Sequence, residues 1–84
     1  MTGAWELDPQ VALRPEPFGA LAYHYGNRRL TFLRSPDLVE LVRTLGDHPS
    51  VGDALAASTI EVERRPSFER ALESLAESAV IRPR

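Results

Sequence analysis

Cysteine is absent from the 84-residue chain, so it has neither disulfides nor a thiolate to act as nucleophile or metal ligand. Histidine occurs only as His24 and His48, too few for a His/Cys metal cluster, and neither has a nucleophile or second imidazole at catalytic spacing. The five glycines are scattered and form no phosphate-binding loop. No apolar run approaches the ~18 residues of a membrane span, and the amino terminus lacks the basic-then-apolar pattern of a secretion signal. Lysine is missing too. All ten basic residues are arginine, set against twelve Asp and Glu, and the net charge of −2 argues against a general polyanion binder. These absences lead us to expect a cytoplasmic protein with no catalytic residue, metal or cofactor. At this length a chain forms one domain, residues 1–84 with 1–9 as an arm, and buries roughly 60–65% of its unfolded surface.

What is present is a hairpin that runs into a capped helix, "YHYGNRRLTFLRSPDL", residues 23–38. A first strand is expected in "QVALRP", and the prolines and glycine of "PEPFG" then read as a connection. The second strand spans Ala20 to Tyr25 and the third runs from Arg28 to about Leu33, joined by a two-residue Gly26-Asn27 turn at positive φ. That turn sets Tyr23 opposite Leu30 and Leu21 opposite Phe32. Leu21, Tyr23, Leu30 and Phe32 then share one face, expected to be the buried one. Ala22, His24, Arg29 and Thr31 share the other, where His24 is read as solvated or hydrogen-bonded. The outer edge of the third strand is left without an evident partner, and Thr31 is expected to offer it backbone groups or a side chain. Unpaired strand edges recruit other chains, so this one is either a liability or a binding site.

Three helices follow. Ser35 caps the first, with Pro36 at its first position, Leu38, Leu41, Val42 and Leu45 inward, and Gly46 at its end. Ser50 and Asp53 open a shorter second helix. Residues 58–66 carry no pattern that fixes a conformation. A third helix covers about Ser67 to Ser78, with Phe68, Leu72 and Leu75 inward and an acidic row of Glu69, Glu73 and Glu77 outward. The order β-β-β-α-α-α defines an α+β, winged helix-turn-helix-like fold. In DNA-binding winged helices a late helix enters the major groove. Here the acidic row would face phosphates, which opposes nucleic-acid binding.

The stretch "RPEPFGALAYHYGNRRLTFLRS", residues 14–35, resembles the mycofactocin precursor-peptide chaperones. These are similar to the recognition domains of ribosomal peptide natural-product pathways, typified by the small chaperone of pyrroloquinoline quinone synthesis. The resemblance implies a chaperone that binds a short precursor peptide and presents it to a radical S-adenosylmethionine maturase. That enzyme, with its iron–sulfur clusters, decarboxylates the terminal tyrosine and joins it to the neighbouring valine; the chaperone binds no cofactor. It further implies that the peptide adds as an antiparallel strand beside Arg29, Leu30, Thr31, Phe32, Leu33 and Arg34. The other wall of the groove comes from Arg65, Phe68, Glu69, Leu72, Leu75 and Ala76, with Leu30 read as ordinary core. Two other readings remain: a self-associating homodimer joined through strand edges, and a winged-helix DNA-binding regulator.

Overall fold

The structure is a computed structural model that describes residues 1–84. It is α+β, with three helices and two small sheets. Strands β2 (Val11–Glu16), β3 (Gly19–His24) and β4 (Leu30–Leu33) form an antiparallel sheet in the order β2-β3-β4. Helices α1 (Pro36–Thr44), α2 (Val51–Ala57) and α3 (Arg65–Glu77) follow. Two strands were not expected: β1 (Trp5–Leu7) and β5 (Ile81–Pro83) pair antiparallel and bring the ends of the chain together. The expected amino-terminal arm is therefore partly strand, and Trp5 packs against the core from it.

The hairpin register is as expected, with Leu21 opposite Phe32 and Tyr23 opposite Leu30. The turn is not. Gly26 and Asn27 do not take positive φ; the loop has four residues, Tyr25 to Arg28, and Arg28 is the one in the left-handed region at φ 61°. Lengthening the loop by one residue on each side preserves the pairing sum, so the register survives. His24 fixes the loop from below: its Nδ1 accepts the backbone N–H of Gly26 at 3.0 Å and of Asn27 at 3.1 Å. A Cβ on Gly26 would collide with Gln10 and the His24 ring.

The two faces are the reverse of the expectation. Ala20, Ala22, His24 and Leu33 are buried, whereas Leu30 is 58% and Phe32 56% exposed. The cause is the helix layer. Alanines on β3 let α1 lie close to the sheet, and the bulky side chains turn to the free face. Leu30 is not core, and His24 is hydrogen-bonded but buried. "PEPFG" also differs, because Glu16 pairs with Gly19 and the connection is only Pro17-Phe18. Pro15 is tolerated because β2 is an edge strand and its missing N–H would have pointed away from β3.

Ser35 Oγ accepts the N–H of Leu38, and Ser50 Oγ that of Asp53, so both caps form as the sequence implies. Gly46 does not end a helix; α1 passes into a 3-10 turn, Leu45–Asp47. In the segment without pattern, Ser58 Oγ donates to Leu55 O and accepts the N–H of Ile60, whose side chain is buried. A 3-10 turn at Val62–Arg64 then leads into α3 two residues earlier than expected. Ala79, at φ 63°, closes α3, with the Val80 N–H bonded to Leu75 O, and sends the chain into β5.

Candidate functional site at the edge of strand β4

The three-stranded sheet has two edges, and they differ chemically. On β2 the outward-pointing residues are Val11, Leu13 and Pro15, because the Tyr25 N–H bonds to Gln10 O and the ladder alternates from there. The Val11 N–H is taken by Asp8 O and Pro15 has none. That edge is blunted. On β4 the His24 N–H bonds to Arg29 O, so Thr31 and Leu33 direct their backbone groups at β3, while Leu30 and Phe32 direct theirs outward. No strand covers them. The expectation for Thr31 is thus corrected: its backbone is committed to Ala22 and its half-buried side chain points to the core face.

Two depressions flank this edge, and Arg34 belongs to both. On the outer face, Phe18 and Phe32 stand 5.7 Å apart between ring centres and with Arg34 line a shallow hollow of about 280 Å³. On the helix side, Arg34, Ser35 and Leu38 face Arg64, Ser67, Phe68 and Ala71 across a cleft of about 260 Å³. The Arg64 guanidinium lies 5.1 Å from the centre of the Phe68 ring and bonds Asp37 at 3.2 Å, which holds the start of α3 against α1.

Of the residues expected to form the groove, the structure brings Arg34 and Phe68 together. Leu72 and Leu75 are core at 0% and 4% exposure, and Ala76 packs against that core. Arg65 donates to Ile60 O. Glu69 lines a different hollow, with Met1, Val51 and Gly52. Sequence reasoning missed Phe18, Leu38, Arg64, Ser67 and Ala71. A signal existed for α3: Ser67 and Ala71, four residues apart, lie on one stripe beside the apolar one, and Arg64 precedes them in the 3-10 turn.

A larger hollow of about 450 Å³ between α1 and α2 has mainly polar residues in its lining, among them Asp37, Glu40, Asp47 and His48. No group of three or more His, Asp and Glu side chains converges in metal-binding geometry. No helix is long and apolar enough to cross a membrane.

The fold defines a small α+β protein whose three-stranded sheet leaves the β4 edge uncovered. Comparison with known proteins gives its family. A profile of the Peptide chaperone MftB family matches residues 4–82. The chain is 44% identical over 80 residues to Peptide chaperone MftB of Mycolicibacterium smegmatis, covering 95% of this chain and 78% of that one. It is 42% identical over 80 residues to the protein of the same name from Mycobacterium tuberculosis, covering 95% and 73%. The chain belongs to the Peptide chaperone MftB family. No solved structure matches it.

Proposed function

We propose that this protein is a non-catalytic peptide chaperone of mycofactocin biosynthesis that binds a short precursor peptide by strand addition at β4. It then presents that peptide to a radical S-adenosylmethionine maturase. Family membership supports the chaperone role. The observation that carries the binding mode is the pair of outward, uncovered backbone units at Leu30 and Phe32, beside the cleft between Arg34 and Phe68. In strand addition, main-chain hydrogen bonds provide affinity and pockets for alternate side chains provide specificity. An added strand would place alternate side chains over the Phe18–Phe32 hollow and the intervening ones toward α3. The winged-helix-like fold belongs to this reading, with the β3–β4 hairpin as a wing that serves peptide capture.

The test is amide hydrogen exchange with and without the mycofactocin precursor peptide of the same organism. The Leu30 and Phe32 N–H groups should exchange freely in the free protein and become protected with peptide, while Thr31 and Leu33 are protected throughout. Protection of Leu30 and Phe32 before peptide is added, together with a dimer mass in solution, would favour edge-to-edge self-association instead.

A further inference from the structure

We propose that the chain recognised at β4 is an acidic peptide, with carboxylates that pair with Arg34 at one end of the strand and with Arg28 and Arg29 at the other. This rests on strand addition at β4 and adds what the strand must carry. The basis is how the ten guanidiniums are used. Arg14, Arg43, Arg64 and Arg82 are held by Glu16, Glu40, Asp37 and Glu6. Arg65 and Arg84 donate to the carbonyls of Ile60 and His48. Arg28, Arg29, Arg34 and Arg70 remain, and the first three bracket the four-residue β4.

None of these three is ion-paired with a carboxylate of the protein. Neither depression beside β4 has a carboxylate in its lining, and the nearby Asp37 is spent on Arg64. The acidic row of α3 does not intrude. At 3.6 residues per turn, Glu69, Glu73 and Glu77 leave α3 on roughly the opposite side from Ser67 and Ala71, which face the cleft. Positive charge thus lines the open edge while the free negative charge of α3 lies behind it, a complement for an anionic strand. Arg29 and Arg34 are five residues apart, about 17 Å along an extended chain. A ligand that satisfies both ends therefore carries acids about five residues apart. Between them, residues opposite Leu30 and Phe32 sit in hydrogen-bonded pairs with their side chains over the aromatic hollow, so those positions are apolar.

The experiment uses the full chain and two probes: the mycofactocin precursor peptide of the same organism, and a copy with every Asp and Glu replaced by Asn or Gln. The native peptide should bind at least about tenfold more weakly at 300 than at 50 mM salt, and at 50 mM the neutral copy should bind about tenfold more weakly than the native one. Arg34→Gln and Arg29→Gln should each weaken native-peptide binding by about threefold or more, mainly through slower association, and weaken binding of the neutral copy by a clearly smaller factor. If the neutral copy binds within twofold of the native one while both still protect the Leu30 and Phe32 amides, acidic recognition is overturned and strand addition stands. If the native peptide binds without protecting those amides, or does not bind, strand addition fails and this inference with it.

Discussion

Gly19 lies with its α-carbon against the backbone carbonyl of Leu33, so close that a Cβ at position 19 would overlap the Leu33 oxygen. Its φ of +152° is one that other residues rarely adopt. This contact seats the β2–β3 turn against the junction of β4 and α1, and the turn carries Phe18 to its place beside Phe32. Gly19→Ala should therefore cost about 2–3 kcal/mol through overpacking and backbone strain. Urea unfolding measures it. A loss below about 0.5 kcal/mol would mean that the turn shifts freely, and would remove the reason for Phe18 to be held where it is.

His24 supports the hairpin loop as an acceptor. With Nδ1 taking two backbone N–H groups, His24→Phe keeps most of the buried volume and leaves both donors without this partner. The expected cost is about 1–3 kcal/mol, with faster exchange at the Gly26 and Asn27 amides and little change in α1 or α3. An unchanged urea midpoint would show that water replaces the imidazole at no cost.

The edge itself is tested at neighbouring residues whose backbones face opposite ways. Thr31→Val keeps the strand and removes one hydroxyl, so peptide affinity should stay within a few-fold. Phe32→Ala removes the ring but keeps the outward N–H, and Phe32→Pro removes both. Proline should lose about a further two- to tenfold relative to alanine, the worth of one hydrogen bond. Continued protection of Thr31 and Leu33 shows that the ladder to β3 survives. Equal affinities for the two Phe32 variants would mean that the peptide does not bond to that donor.

Duplex DNA should not bind. Net charge is −2 and α3 carries an outward acidic row, so too few phosphates are neutralised to release counterions. A mobility shift on random duplex at low micromolar protein and ~150 mM salt would restore the regulator reading.

The sequence revealed pairings better than it revealed sides. The β3–β4 register was legible because turn position and apolar alternation both constrain it. The face was not, since Ala20 and Ala22 alternate with Leu21 and Tyr23 and both sets are apolar. Bulk pointed to the wrong one, because small residues are what admit a closely packed helix. Ser35-Pro36 and Ser50 announced their helices through local hydrogen bonds. Strands β1 and β5 had no such announcement: each is three residues long, and its only strand partner lies at the other end of the chain. For the candidate site, the choice of β4 and Phe68 was available from the resemblance at residues 14–35. The cleft wall of α3 was not, because apolar periodicity marks the buried stripe of a helix and leaves open which flank meets a neighbour.

The pairing of β1 with β5 has a kinetic and entropic consequence. Glu6 and Arg82, 76 positions apart, form an ion pair at 2.8 Å, and the Arg84 N–H bonds to Ala4 O at 2.9 Å. Zipping these strands closes a loop spanning nearly the whole described chain, at a cost of about 4 kcal/mol before any constant term. Contacts this distant are rewarded only after the hairpins and helices have shortened the path between them, so the clasp should form last in folding. Linking residues 1 and 84 through a short flexible tether would remove that closure cost and stabilise the ring from the denatured side, with no new contact in the folded protein.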